Sequence, residues 1–291
     1  MSYDTFTRAD TTVKEYFITM SDGVALRVID FTPSAYNEKS PVVVFIAGWI
    51  SLIYGWTGVL RVITPRYRTL YVETREKISA RLPERPLGEI DFSVARISRD
   101  IRELIDTVVG KEQPFYFLGS SLGSTAALEY LAMKDVHKSQ LAFMIAPNSE
   151  FRFPSWGIPI IKYFPASLYD SVKPVIKWYL RTIRLDKNKE PEQVKKYEGT
   201  IDAAEPRRLQ MNALTLCNYR LWDKLPHVTS PVIIIGAETD KLHGIRDMQK
   251  MVSLMPRARL VMMASNKETH SEKAGEFLVE EISQHELLSK R

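Results

Sequence analysis

Short apolar runs recur along this chain, and each needs other elements to cover it on two sides. Residues 41–47 read PVVVFIA, without a polar side chain. Similar runs follow at residues 69–72, 115–118, 141–145, 232–235 and 260–263. An unbroken apolar strand is typical of a parallel sheet with helices on both faces, whereas a half-exposed strand alternates polar and apolar residues. The runs therefore predict a central, mostly parallel sheet.

Segments with helical periodicity lie between several of these runs. Their apolar residues recur with a period near 3.6, at residues 94–109, 125–133, 245–255 and 274–288. Alternating strands and helices indicate the α/β class with helices on both faces of the sheet. At the start of the chain, the alternating stretches 13–19 and 24–31 flank an Asp22-Gly23 pair, which predicts an antiparallel β-hairpin.

The interval 148–225 interrupts this alternation. Prolines recur in it among aromatic and basic residues, at Pro154, Pro159, Pro165 and Pro174. We interpret the interval as an inserted helical cap, so that residues 1–147 and 226–291 form the core. A length of 291 residues is compatible with one α/β core that carries an insertion.

A motif of the form G-x-S-x-G joins a predicted strand to a predicted helix. It reads Gly119-Ser120-Ser121-Leu122-Gly123, and the residues that follow, TAALEYL, are good helix formers. A serine on such a sharp turn is exposed at the carboxyl end of the sheet, and glycines on either side leave room for the turn. The motif predicts that Ser121 is a nucleophile, and the neighbouring Ser120 and Ser124 are expected to be structural.

Two further strands end in residues that could activate this serine. The run 231–236 leads to Asp240, and the run 259–264 is followed by His270 just before the terminal helix. A serine hydroxyl is a weak nucleophile until a base removes its proton, and the base needs a group that holds its correct tautomer. We predict His270 as the base and Asp240 as the orienting acid, with Glu238 as the alternative acid.

Five histidines are present, so the candidates for the base can be compared one by one. His137, His227 and His285 lie away from the predicted site and are expected to be structural or solvated. His243 lies close to Asp240 in sequence and remains an alternative as a substrate contact. Position at the carboxyl edge of the sheet favours His270.

With Ser121, Asp240 and His270 in that order, the chain resembles the α/β-hydrolase superfamily, particularly its capped esterase, lipase and C–C hydrolase branches, over nearly its whole length. The separations of 119 and 30 residues within the triad are similar to those of the family. The resemblance implies the α/β-hydrolase fold, with these three residues as nucleophile, acid and base.

Hydrolysis also needs donors for the carbonyl oxygen. In this fold one donor is the amide after the nucleophile, here Leu122, and the other belongs to the loop after the third strand, where Trp49 is the candidate. Relatives commonly carry His-Gly at the start of that loop, and this chain has Ala47-Gly48. The difference removes a histidine side chain but preserves the backbone donor.

Composition limits the partners and the compartment that we expect. Of the net charge of +5, all the excess lies in residues 150–225, which hold 14 Lys or Arg and 9 Asp or Glu. No nucleic-acid-binding motif accompanies it, so we expect no nucleic-acid partner. The single cysteine, Cys217, excludes a disulfide framework, and no apolar run is long enough to cross a bilayer. The N-terminal residues lack an apolar signal region, so we expect a cytoplasmic protein without stable membrane insertion.

The expected function is serine hydrolysis of a carboxylic ester with an apolar acyl group, without a cofactor or a metal. The same triad could serve a thioesterase, an acyltransferase or a C–C bond hydrolase, and a catalytically silent binding or scaffold protein is the alternative from another class. Aromatic residues of the predicted cap either line an acyl pocket or attach the cap to the core. Its basic amphipathic stretch 168–184 is typical of a solvated cap helix, with contact to an anionic membrane as the alternative. Arg152, Arg207 and Arg208 leave open a carboxylate or phosphate on an anionic or lipid-like substrate. Oligomeric state is not predicted.

Overall fold

The computed structural model describes residues 3–8, 10–165, 168–179, 182, 191–240 and 244–289. Within these ranges eight strands form one sheet, which confirms the predicted α/β class with a mostly parallel sheet. The strands are β1 (Thr11–Thr19), β2 (Ala25–Pro33), β3 (Val42–Ile46), β4 (Arg68–Val72), β5 (Phe115–Ser120), β6 (Leu141–Ile145), β7 (Val232–Ala237) and β8 (Ala258–Met263).

The strand order is β1-β2-β4-β3-β5-β6-β7-β8, and strands β3 to β8 run parallel to one another. Strand β2 is antiparallel to both β1 and β4. The predicted hairpin is present, and Gly23 supplies the positive φ of 87° that its turn requires. Because the six other strands are parallel, their carboxyl ends meet at one edge of the sheet.

Helices cover both faces of the sheet. They are α1 (Thr57–Ile63), α2 (Val94–Leu104), α3 (Leu122–Ala132), α4 (Gly157–Tyr163), α5 (Tyr169–Tyr179), α6 (Pro191–Asp202), α7 (Pro206–Leu216), α8 (Ile245–Leu254) and α9 (Glu272–Ser289). Successive residues of β3 point to opposite faces: Val44 belongs to a core formed with α2, α3 and α8, and Phe45 to a core formed with α1 and α9. Burial on both faces explains the unbroken apolar runs.

The predicted strands are all present, whereas the helix boundaries differ in two places. Helix α3 begins at Leu122, three residues before the predicted start, because the helix follows directly from the turn at Ser121. Helix α2 ends at Leu104, and residues Ile105–Val109 continue it as a π-helical turn. Helix α1 was not predicted.

Between β6 and β7 the segment 148–225 contains helices α4 to α7. It contacts the remainder of the chain through α7, where Arg208 Nη1 donates hydrogen bonds to the carbonyls of Lys77 (2.5 Å) and Ala80 (3.0 Å). On the same helix, Asn212 Nδ2 donates to the carbonyl of Phe92 (2.5 Å). Within the amphipathic stretch 168–184 the structure shows helix α5 (Tyr169–Tyr179), and residues 180, 181 and 183–190 lie outside the described residues.

The aromatic residues of this segment differ in their burial. Phe151 and Phe153 pack against the core that contains α2 and α3, as expected of residues that attach the segment to the core. Trp156, Tyr163 and Trp178 are instead 67%, 76% and 59% exposed. Among the helices that the structure describes, none is long and apolar enough to cross a membrane.

A buried ion cluster joins the loop after β4 to helix α2. Arg75 is fully buried and donates to both carboxylate oxygens of Asp100 (2.5 and 2.6 Å), to Asp22 (2.8 Å) and to the carbonyl of Asp91 (2.9 Å). Removing one member of a buried ion pair leaves an uncompensated charge, which typically costs about 3–5 kcal/mol.

Asp100→Ala is therefore expected to lower the free energy of unfolding by about 3 kcal/mol in urea titrations. The matched control is Asp106→Ala, just after the same helix, where a side chain 46% exposed lies 3.8 Å from Arg102. An exposed pair of this kind contributes at most about 1 kcal/mol. Equal losses in the two variants would contradict the stabilising role of the buried cluster.

Candidate active site

Ser121 occupies the turn between β5 and α3. Its backbone has φ 47° and ψ −115°, a region that residues other than glycine rarely adopt. The Ser121 N–H donates to the carbonyl of Ile145 on the neighbouring strand (2.8 Å), which fixes the turn against the sheet. Strained backbone of this kind persists where the surrounding structure holds it, and it is concentrated at functional sites.

The two glycines of the motif are required by close approach. A Cβ on Gly123 would lie 2.2 Å from the carbonyl oxygen of Ile46, and a Cβ on Gly119 would lie 2.7 Å from the Cα of Ser124. Both distances are shorter than any normal contact, so a side chain at either position would force the strand and helix apart. The sequence-based explanation of the motif is consistent with this geometry.

Strained backbone is concentrated at one edge of the sheet. Among the described residues other than glycine, positive φ angles occur at Ile50, Ser121, Asp135 and Ala146. Ile50, Ser121 and Ala146 follow the carboxyl ends of β3, β5 and β6, three strands that are adjacent in the sheet. Only Asp135 lies elsewhere. This clustering marks the edge as a candidate site independently of the G-x-S-x-G motif.

A pocket opens at this edge and brings together the three residues that the sequence selected. Ser121, Asp240 and His270 all contribute to its wall. The other lining residues are Ser120, Ile145, Ala146, Ile235, Ala237, Asn266 and Thr269. The lining combines a hydroxyl, a carboxylate and an imidazole with aliphatic residues, the usual composition of a site that binds an apolar group beside a few polar ones.

His270 ends a short 3₁₀ turn just before α9, and its ring is held on two sides. Nδ1 lies 2.9 Å from the carbonyl oxygen of Asn266 and 2.9 Å from Thr269 Oγ1. The Trp56 ring packs against the imidazole at a centroid distance of 4.1 Å. Because a carbonyl only accepts hydrogen bonds, the proton of the neutral ring belongs on Nδ1, and Nε2 is then the basic nitrogen.

The loop that carries His270 is fixed by its neighbours. Glu268 accepts a hydrogen bond from the Ala264 N–H (2.8 Å) and pairs with Lys273. Lys273 and then this N–H hold the pKa of the Glu268 carboxyl below its usual value. On helix α1, a Cβ at Gly58 would lie 2.9 Å from the carbonyl oxygen of His270, so the helix backbone packs directly on the loop. These contacts restrict where the imidazole can lie.

Position distinguishes the two candidate acids. Asp240 is half-buried and lines the pocket, whereas Glu238 is exposed and its backbone N–H bonds to the carbonyl of Met263 (3.0 Å). Of the two candidate acids, only Asp240 is therefore found in the lining of the pocket that contains Ser121 and His270. Sequence order alone left both residues open.

The loop of residues 47–50 lies against the nucleophile turn. A Cβ on Gly48 would be 3.4 Å from Ser121 Cβ, so the chain passes the serine at van der Waals distance. The next residue is Trp49, the predicted second donor, and Leu122 is the first residue of α3, where backbone N–H groups lack helical acceptors. The Trp49 ring packs against the core, and its Nε1 has no hydrogen-bond partner within the described part of the chain.

The other histidines lie away from the pocket where they are described. His137 Nδ1 contacts the carbonyl of Gly110 (2.9 Å), and His227 is exposed at the end of a 3₁₀ turn before β7. The ring of His285 on α9 faces Tyr116. His243, the alternative substrate contact, lies outside the described residues. In the ranges that the structure describes, no His, Cys, Asp and Glu side chains cluster as a metal site would require.

Two of the three arginines that were candidates for binding an anionic substrate have side chains that contact other residues of the protein. Arg152 pairs with Glu150 (2.7 Å) and Asp247 (3.0 Å). Arg208 bonds to backbone carbonyls, as described above, and its side chain lies beside Glu205 (3.6 Å). For Arg207 the backbone N–H bonds to Glu205 at the start of α7, and the side chain is exposed. These contacts do not single out an anion site.

Four residues at the site were not predicted from the sequence. Asn148 Nδ2 donates to Ser121 Oγ (3.2 Å), Asn266 and Thr269 contact His270, and Trp56 packs on its ring. Asn148 is the third residue after β6, at the edge where Ser121 was expected, so its position was available as a signal. The other three act through a loop and a helix whose geometry no sequence pattern indicates.

Comparison with known proteins identifies the class that this fold and site define. Residues 43–280 match the model of the alpha/beta hydrolase family, and the chain belongs to that family. A comparison with curated proteins gave no match.

Several solved structures share the fold at low sequence identity. An enol-lactonase from Burkholderia xenovorans LB400 is 15% identical with a TM-score of 0.71, over 92% of this chain and 98% of that one. A thermophilic esterase from Thermogutta terrifontis is 14% identical with a TM-score of 0.71, over 94% and 99%. An esterase from Exiguobacterium antarcticum is 16% identical with a TM-score of 0.69, over 94% and 100%. At these identities the likeness establishes the fold.

Proposed function

We propose that the protein is a serine hydrolase that cleaves a carboxylic ester through an acyl-enzyme intermediate. The observation that carries the proposal is that one pocket contains Ser121, on a strained turn, together with Asp240 and His270. These three residues together suit attack on an acyl carbon. They offer a nucleophile, a base, and a carboxylate that orients the base and balances the positive charge of its protonated form. The solved enol-lactonase and esterases of the same fold support an ester substrate by analogy only.

In the proposed acylation, the proton of Ser121 Oγ passes to His270 Nε2 as Oγ bonds to the acyl carbon. The carbonyl electron pair moves onto the oxygen, where the N–H groups of Leu122 and Trp49 would stabilise it. The carbonyl then re-forms, the ester C–O bond breaks, and the leaving alcohol takes the proton from His270. Deacylation repeats these steps with water as the nucleophile and Ser121 as the leaving group.

Aliphatic residues in the lining of the pocket support an apolar acyl group. Ile145, Ala146, Ile235 and Ala237 come from the ends of β6 and β7 and line the cavity beside Ser121. In the chain, the segment 148–225 begins just after the lining residue Ala146. This position supports its proposed role as a cap that shapes the acyl site. Phe151 and Phe153 lie at the start of that segment and pack on the core.

Two assays on the wild-type protein test the proposal. We expect a fluorophosphonate probe to label the protein covalently, and p-nitrophenyl esters of two to twelve acyl carbons to be hydrolysed with a clear length preference. Heat-denatured protein is the control for non-specific labelling. Folded protein that resists the probe would contradict a reactive serine, whereas labelling without ester turnover would instead favour a thioester, acyl-transfer or C–C substrate for the same triad.

A further inference from the structure

Asn148 is bound to the nucleophile's own helix through its main chain. Its N–H donates to Thr125 Oγ1 (2.9 Å), and Thr125 Oγ1 also lies 2.9 Å from the Asn148 carbonyl oxygen and 3.0 Å from that of Ser121. Thr125 is one helical turn after Ser121 and is fully buried. These main-chain contacts do not depend on the Asn148 side chain, which is therefore available for another role.

That side chain is directed at the reacting atom of the proposed mechanism. Asn148 Nδ2 donates a hydrogen bond to Ser121 Oγ at 3.2 Å. An amide nitrogen only donates, so this contact occupies a lone pair of Oγ and leaves the hydroxyl proton available to a base. An oxygen acceptor at the same place would compete with the base for that proton.

We propose that Asn148 is a further catalytic residue, whose amide N–H stabilises the negative charge that Ser121 Oγ acquires. This inference rests on the proposed function. Charge develops on Oγ twice in each turnover. In acylation the O–H bond breaks as the bond from Oγ to carbon forms. In deacylation the bond from carbon to Oγ breaks, and Oγ takes the proton back from His270. A donor held beside Oγ stabilises both transition states. Donors in an oxyanion hole stabilise the charge on the carbonyl oxygen in the same way.

The donor role predicts a definite order among variants. Asn148→Ala removes the N–H and is expected to lower both the fluorophosphonate labelling rate and kcat by about 10- to 100-fold, less than the ~10²- to 10³-fold typical of an oxyanion donor. KM should change little, because the contact involves the enzyme's own oxygen. Asn148→Asp preserves the shape but replaces the donor with a carboxylate, which repels charge on Oγ and should be slower still at pH 8.

The neighbouring Ser149 provides the matched control. Its hydroxyl is buried and has no hydrogen-bond partner within the described residues, so Ser149→Ala alters the same loop without removing a contact to Ser121. We expect this variant to label and turn over at wild-type rates. Thermal unfolding of all three variants confirms that each is folded, and the main-chain contacts to Thr125 favour that result in both position-148 variants.

The outcomes separate this proposal from the proposed function. If wild type labels and hydrolyses esters but Asn148→Ala matches it, Asn148 is not catalytic although the serine mechanism stands. An aspartate variant faster than the alanine variant would show a space-filling role and also overturn the proposal. If folded wild-type protein neither labels nor hydrolyses, both proposals fail.

Discussion

Ser121→Ala protein is expected to fold normally and to lose ester hydrolysis by a factor on the order of 10⁶, the loss typical when a serine nucleophile is removed from a triad. The contact between the N–H of residue 121 and the Ile145 carbonyl does not involve the side chain, so the variant retains it. The variant should also fail to react with the fluorophosphonate probe, because no Oγ remains to attack phosphorus.

Ser124→Ala is the matched control for this prediction. Ser124 lies one turn along helix α3, and its hydroxyl donates to the carbonyl of Ile145 (3.1 Å). Its removal is expected to lower the free energy of unfolding by about 1 kcal/mol while the labelling rate stays unchanged. Undiminished labelling of Ser121→Ala, located by mass spectrometry on another residue, would assign the nucleophile elsewhere.

The sheet was predictable because its strands are buried on both faces. An apolar run without polar interruptions has few alternatives to a central parallel strand, and the six runs are found as β3 to β8. Helix α1 was missed because only seven residues form it, directly after the 3₁₀ turn Ile53–Trp56. So short an element shows too few turns for its periodicity to be recognised.

The parts of the candidate site that depend on residues adjacent in sequence could be predicted. The turn at Ser121 depends on local sterics, and the glycines that allow it lie within two residues. Asn148 was missed because its role depends on a contact between the ends of two strands, β5 and β6, which meet only in the folded sheet. Chain order suggested Asp240 without excluding Glu238, because the two carboxylates lie only two residues apart and their difference in burial arises only once the loop is folded.

The contacts of His270 lead to the second large prediction, that His270→Ala lowers kcat by nearly as much as Ser121→Ala. Without the imidazole, the serine proton has no base to accept it near neutral pH, and the residual rate should rise with pH as hydroxide replaces the base. The exposed His227 offers the control His227→Gln, which is expected to leave turnover and labelling unchanged.

The decisive measurement is the double variant Ser121→Ala/His270→Ala. If the base acts only through the serine, removing His270 from protein that already lacks Ser121 lowers kcat no further. The double variant should therefore have the same kcat as Ser121→Ala. Asp240→Asn should lower kcat by less than Ser121→Ala or His270→Ala does, because the Asn266 carbonyl still holds Nδ1 of His270 in the required tautomer. Losses that multiply in the double variant would instead mean that His270 and Ser121 act on different steps, and the proton transfer proposed between them would have to be abandoned.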